Sequence, residues 1–212
     1  MSLENYKKIS SSLKKNIKLV AVSKGQSVKK ILKIYELGHR DFGENYLQEL
    51  ITKKQQLPND IIWHFMGNIQ TNKLKDICIN SNYIHSVSRE KVLKKLSSIE
   101  IKEMPKILLQ LKLGNETSKS GFLPEEIYQI TKNKTLTKQL KIVGLMGISQ
   151  NTNDRSKIRM QFSQISELFY ELSKEHQAFE FLSLGMSQDY NIAIDCGSNM
   201  IRLGSIIFGE RK

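Results

Sequence analysis

The sequence predicts an α/β protein, a single-domain (β/α)8 TIM barrel with an extra N-terminal helix, and three observations predict it. Short apolar strand signals alternate with amphipathic helical segments along the whole chain. The strand signals number eight, the count at which parallel strands joined by right-handed crossovers close on themselves most naturally. Finally, 212 residues with 39% hydrophobic side chains are enough for one substantial core, near the lower end of barrel size, so residues 1–212 read as one domain. The alternative is an open doubly wound sheet, but no GxGxxG follows the first strand and no acidic residue is placed to hold a ribose.

The strand signals fall at Leu19–Ser23, Asp41–Phe42, Ile61–Phe65, Tyr83–Ser86, Lys106–Leu111, Ile142–Met146, Phe179–Ser183 and Met200–Leu203. Residues 1–17 carry a weak amphipathic pattern and are expected to form a helix that covers the barrel bottom. After the first strand, Val28, Ile31, Leu32 and Tyr35 follow helical i, i+3, i+4, i+7 spacing, with Ser27 as N-cap and Gly38 as stop signal. Pro124, at a favoured first helical position, opens a helix through Ile127 and Ile130. Ile158, Phe162, Ile165, Phe169 and Leu172 form one long apolar stripe behind the capping pair Asn153 and Asp154.

Composition excludes several classes. No stretch has the apolar h-region of a signal peptide, and none approaches the roughly 18 apolar residues of a membrane span, so the expectation is a cytoplasmic protein with no membrane partner. Cys78 and Cys196 have neither CxxC nor Cys/His spacing, so they are expected to be small buried hydrophobes, with no metal site. The net charge of +12 raises nucleic acid as a partner. Residues 1–60 carry 12 basic and 6 acidic groups, residues 61–140 carry 13 and 7, and residues 141–212 carry 8 and 8, with no basic run longer than two residues. So diffuse an excess fits solvated helix faces better than a polyanion groove.

The chemistry begins at Lys18-Leu-Val-Ala-Val-Ser-Lys-Gly25, a strand signal that delivers Lys24 to a glycine-marked turn. An amine at the rim of a core is poised to lose its proton and condense with a carbonyl, whereas most lysines of such a chain are solvated surface charges. In a barrel, function collects at the carboxyl ends of the strands, and the loops after the last two frequently cradle a phosphate. Here those loops hold Leu182-Ser-Leu-Gly-Met-Ser187, leading into a helix expected from Gln188 with Ser187 as its cap, and Arg202-Leu-Gly-Ser205. Either loop alone reads as a tight turn of small residues. With an imine-capable lysine on the first strand, the pair points to a phosphate-bearing aldehyde cofactor. His64 reads as a packed wall residue, since a lone histidine at a strand end is more often hydrogen-bonded than functional.

The segments AVSKGQ, DFGENYLQE, WHFMGNIQTNK, SKSGF, GLMGIS, LSLGMSQD and IRLGSIIFGER occur in this order from Leu19 to Arg211. Together they resemble the YggS/PROSC family of pyridoxal phosphate homeostasis proteins. The resemblance implies a barrel like the N-terminal domain of alanine racemase, with pyridoxal 5′-phosphate (PLP) as a Schiff base on Lys24. It implies Asn45 beside the cofactor ring, Met66 and Gly67 near the pocket, and Ser187, Gly204 and Ser205 on the phosphate. Arg202 takes the position near the pyridine nitrogen, where a fixed guanidinium disfavours ring protonation. Lys119 of SKSGF either approaches the ligand or holds its loop. Departures from the usual family pattern are Gly25-Gln26-Ser27, Asn68 and Ser205, and none removes a needed group.

Three functions of different class follow. The first is a monomeric PLP carrier for intracellular homeostasis without robust turnover, serving PLP-dependent apoenzymes. The second is a PLP-dependent amino-acid racemase, for which a second domain bearing the opposing acid/base is lacking. The third is a basic nucleic-acid-associated protein. The first is the reading adopted.

Overall fold

The computed structural model describes residues 3–113 and 120–209, which leaves Lys119 outside the described residues. Eight parallel strands form a closed barrel in sequence order: β1 Lys18–Val22, β2 Asp41–Glu44, β3 Ile62–Phe65, β4 Tyr83–Val87, β5 Lys106–Gln110, β6 Ile142–Met146, β7 Phe181–Ser183 and β8 Met200–Leu203. The seam is β1 against β8, in register from Lys18 opposite Met200 to Ala21 opposite Leu203. Around the strands lie α1 Leu3–Ser12, α2 Val28–Tyr35, α3 Leu47–Lys54, α4 Leu74–Asn80, α5 Glu90–Ser97, α6 Pro124–Lys132, α7 Lys134–Gln139, α8 Arg155–Glu175, α9 Tyr190–Asp195 and α10 Ser205–Phe208.

Strand alternation divides the apolar residues into two cores. Leu19, Ala21, Ile201 and Leu203 pack outward under the helices with Ile31, Leu50, Phe162 and Ile165. Val20 and Met200, their neighbours in sequence, join Tyr83, Leu108, Val143 and Met146 in a smaller cluster inside the barrel. Since side chains alternate with period two, Lys18, Val22 and Lys24 share the inward parity of Val20, and Arg202 shares that of Met200.

Caps explain some of the helix limits. Asp154 accepts from the N–H groups of Ser156 and Lys157 and so starts α8. Pro124 opens α6, and the Glu126 carboxylate reaches back to accept from Leu123 N–H. Ser27 is the N-cap residue of α2, as expected, with extended backbone, though its side chain makes no capping bond. Gly38 ends the same segment with φ +90°.

The N-terminal helix is shorter than expected. It stops at Ser12 and packs against α2 and α10, with Tyr6 and Ile9 buried and Asn5 Nδ2 donating to Ile206 O, while the Tyr6 ring stands edge-on to His39 near the amino end of β2. Several strand limits differ from expectation: β1 is shifted by one residue, β2 continues through Gly43 and Glu44, β3 starts at Ile62, β4 runs on to Val87, β5 stops at Gln110, and β7 starts at Phe181. Leu111 falls beyond β5 and forms an isolated bridge to Phe122.

Gly67 marks a close approach after β3. A Cβ there would stand 1.8 Å from Asn45 O, so only glycine lets the two loops touch. Gly67→Ala should therefore lower stability by about 1–3 kcal/mol, the usual cost of overpacking, read as a fall in the denaturant midpoint with an unchanged m-value.

Candidate functional site

The carboxyl ends of the strands open on a cavity of about 780 Å³. All seven residues expected at the site line it: Lys24, Asn45, Met66, Ser187, Arg202, Gly204 and Ser205. Gly67 does not; it supports the wall from behind through its contact with Asn45. Further parts of the wall come from Val22, Met146, Ile148 and the segment Ser149–Asn153, with Arg155 and Asp189 among others.

Lys24 is half-buried and sits on a turn clamped at both neighbours. Ser23 N–H donates to Gly43 O, and Ser23 Oγ donates to Glu44 Oε1 at 2.6 Å. Gly25, with φ +69°, turns its N–H to Glu49 Oε1 at 2.6 Å. Lys53 Nζ joins these groups, donating to Ser23 O, Glu44 Oε1 and Glu49 Oε1 at 2.6–2.7 Å. The Lys53 and Glu44 side chains are 6% and 0% exposed, so this is a buried ion pair beneath the lysine turn. Burial pushes the Glu44 carboxyl up, and Lys53 and Ser23 only partly offset it. Its second oxygen, Oε2, has no hydrogen-bond partner among the described residues.

Arg202 enters from the neighbouring strand; on the β1/β8 seam its Cα partner is Val20. Its guanidinium is buried and held by acceptors: Nη1 donates to Ser183 O at 2.7 Å and Ser183 Oγ at 2.8 Å, and Nη2 to Gly147 O at 2.9 Å. Burial pushes its pKa down to about 10, which leaves it a cation at neutral pH.

Below Arg202 the lumen is polar. His85 Nδ1 lies 3.2 Å from Ser183 Oγ, His85 Nε2 lies 2.9 Å from His64 Nδ1, and His64 Nε2 lies 2.9 Å from Asp41 Oδ1. Lys18 Nζ donates to the same Asp41 oxygen at 3.0 Å. His64 is thus neither lone nor on the cavity wall: it is fully buried, stacked on Tyr83 with ring centroids 4.5 Å apart. Burial lowers the pKa of both imidazoles, against the pull of Asp41 for His64 and with help from the His64 and Arg202 charges for His85, which falls well below the usual range.

The loops after β7 and β8 meet at Ser187. Its Oγ accepts from the N–H groups of Gly204 and Ile206, both at 3.4 Å, so it stands at the start of α10. The expected helix from Gln188 begins instead at Tyr190, with Asp189 at its N-cap, and Ser187 does not cap it. Asp189 takes over the loop, accepting from Met186 N–H at 2.6 Å and Ser149 Oγ at 2.7 Å. Ser205 is exposed at the rim.

The residues that local reading missed are Glu44, Glu49, Lys53 and His85. The Glu49–Lys53 spacing of four was a visible signal for a helical ion pair, but its burial was not. Cys78 is buried with its thiol pushed up to about 12 by desolvation, whereas Cys196 is half-buried, with its Sγ 3.8 Å from Arg159 O.

This fold and cavity define a barrel of the alanine racemase N-terminal class. The family described as "Alanine racemase, N-terminal domain" matches residues 3–212. A pyridoxal phosphate homeostasis protein of Synechocystis sp. is 38% identical over 211 residues, covering 97% of each chain. Among solved structures, PipY of Synechococcus elongatus without PLP superposes with a TM-score of 0.90 at 32% identity, over 97% of this chain and 99% of that one. The same protein with PLP bound gives 0.85 at 31% identity, with the same coverage. The alanine racemase of E. faecalis shares the fold at 18% identity and a TM-score of 0.76, over 98% of this chain and 57% of that one. The chain belongs to the pyridoxal phosphate homeostasis protein family.

The buried histidines make stability depend on pH. His39, His64 and His85 all have folded pKa values held down by burial, so between those values and about 6.5 the unfolded chain binds protons that the folded one does not. Stability should be full above about pH 7 and fall as pH drops through that window, by up to about 1.4 kcal/mol per pH unit for each histidine that stays neutral. Glu44, raised in the fold, works in the opposite sense. Denaturant unfolding from about pH 7.5 to 5.5 measures the slope, and His85→Asn should flatten it.

Proposed function

We propose that this chain binds PLP in the cavity at the carboxyl end of its barrel, with Lys24 as the covalent anchor. On this reading it is a single-domain carrier in intracellular PLP homeostasis that lacks robust turnover. The observation that carries the reading is the convergence of Lys24 and Arg202 with the Ser187 loop on one cavity wall. An amine, a fixed cation, and N–H and hydroxyl donors beside apolar Val22, Met66, Met146 and Ile148 are the donor set that a flat, phosphate-bearing aldehyde needs. The PLP-bound PipY structure supports the same ligand.

PLP supplies an aldehyde that condenses with amines and a ring that withdraws electrons once its nitrogen is protonated. The protein's share is binding and restraint. The clamps on Ser23 and Gly25 hold the Lys24 turn; Ser187 with the N–H groups of Gly204 and Ile206, and Ser205 at the rim, would hold the phosphate, and Asn45 and Met66 would line the place of the ring. Arg202, a cation at neutral pH, would disfavour protonation of the ring nitrogen and so weaken the electron sink. Racemisation also needs an acid/base group on each face of the substrate. Among the described lining residues the ionisable groups are Lys24, Arg155, Asp189 and Arg202, and Asp189 is buried and engaged by Ser149 and Met186.

In this reading the protein is a cytoplasmic monomer that exchanges PLP with PLP-dependent apoenzymes. No helix among the described residues is long and apolar enough to cross a membrane. The basic excess is scattered over helix surfaces, which disfavours a nucleic-acid role.

Mixing the purified protein with PLP should produce a visible absorption band, and borohydride reduction followed by peptide mapping should place the adduct on Lys24. A main adduct on another lysine would overturn the anchor. Ser187→Ala should weaken PLP binding by about tenfold, the worth of one hydrogen bond to a charged group, and leave binding of phosphate-free pyridoxal nearly unchanged.

The carrier reading has its own test. Incubation of the PLP-loaded protein with L-alanine in deuterated water should give at most slow exchange at Cα, far below the typical enzyme turnover of about 10 per second. Rapid racemisation lost in Lys24→Ala would establish an enzyme instead.

A further inference from the structure

The polar interior of the barrel contains a directed hydrogen-bond chain, and its direction follows from one end. Asp41 accepts from both Lys18 Nζ and His64 Nε2. A carboxylate can only accept, so His64 Nε2 carries the hydrogen, and in a neutral imidazole Nδ1 is then an acceptor. The partner of that Nδ1, His85 Nε2 at 2.9 Å, must therefore donate, which leaves His85 Nδ1 as an acceptor for the Ser183 hydroxyl at 3.2 Å. With its hydrogen spent on His85, Ser183 Oγ presents its lone pairs to Arg202 Nη1 at 2.8 Å. His64, His85 and Ser183 are all fully buried, so water does not compete for these bonds. Burial holds both imidazoles neutral near pH 7, as the directed chain requires.

We propose that Asp41, at the amino-terminal end of the barrel lumen, is a positioning residue for Arg202. Acting through His64, His85 and Ser183, it orders their tautomers and hydroxyl so that the guanidinium is locked toward the cavity. Without the carboxylate, either imidazole tautomer satisfies the His64–His85 contact, and the Ser183 hydroxyl loses its single orientation. The consequence for the ligand rests on the proposed binding of PLP: loosening Arg202 would weaken PLP binding. The chain itself does not depend on that reading.

The test is nitrogen-15 NMR of the histidine rings and of the Arg202 Nη–H groups in the ligand-free protein, so its outcome is independent of whether PLP is the ligand. In the wild type both His64 and His85 should be in the Nε2–H form, and the Arg202 Nη–H groups should exchange slowly with solvent. In Asp41→Ala, His85, which Asp41 does not touch, should become a tautomer mixture, and Arg202 Nη–H exchange should quicken several-fold. Asp41→Asn, whose amide oxygen can accept the same hydrogen, should restore both signals. An unchanged His85 and Arg202 in Asp41→Ala would overturn the proposal, as would a wild-type His85 in the Nδ1–H form. Should Asp41→Ala fail to fold, Asp41→Leu, without an acceptor, takes its place under the same criteria.

Discussion

Every second residue of a barrel strand points into a closed lumen, and a polar side chain buried there must find its hydrogen-bond partner within it. The rest of this structure depends on that constraint. Where inward positions are apolar, as at Val20, Leu108, Val143 and Met200, they fill the barrel as packed layers. Where they are polar, a run of them engages one another: Lys18 with Asp41, Asp41 with His64, His64 with His85, and His85 and Arg202 with Ser183, while Arg202 also takes the carbonyls of Ser183 and Gly147. An isolated buried charge would cost several kcal/mol, and the chain of neutral imidazoles avoids that cost between two charged ends.

The same rule operates in the outer layer beneath Lys24. Glu44 faces the helices, and its burial is tolerated because Lys53 brings a cation to it together with Ser23 Oγ. The arrangement is more than a neutralised pair, since Lys53 Nζ also binds Ser23 O, and Glu49 also binds Gly25 N–H. The backbone on either side of Lys24 is thereby tied to α3, an element that contributes no residue to the cavity wall. Replacing such a pair by apolar groups is often neutral for stability, so its persistence here is better explained by the turn it positions than by the energy it supplies.

How much of this was legible in the sequence follows from the range of each interaction. Most strands show as short apolar runs bounded by turn residues, and Ile142–Met146 and Met200–Leu203 match the structure residue for residue. The second strand was read two residues short because Gly43 and Glu44 look like turn chemistry. In the barrel, Gly43 lies where a Cβ would meet Met66, and Glu44 is buried by its pairing with Lys53. Local sequence placed Lys24 at a strand end and, only through the family resemblance, Arg202 in the pocket. It could not reveal that His64 meets His85, 21 residues away, or that Ser187 spans to Gly204 and Ile206 instead of capping the helix that follows it. The weak pattern of residues 1–17 marked a helix, but its docking against α2 and α10 is a tertiary choice.

The two ends of the lumen therefore have different work. At the carboxyl end, Lys24 and Arg202 line one cavity. Arg202 is held by three acceptors in the protein and remains a cation at neutral pH, so it can orient a ligand but is poorly suited to relay protons. Lys24 stands on a turn held from outside the barrel, where Gly25 N–H and Ser23 O are tied to α3. On the proposed reading it would supply the nucleophile, Arg202 would orient the ligand, and the Ser187 loop would receive its anionic group. The polar lumen reaches this site through a single hydroxyl, Ser183 Oγ, which touches both His85 and Arg202.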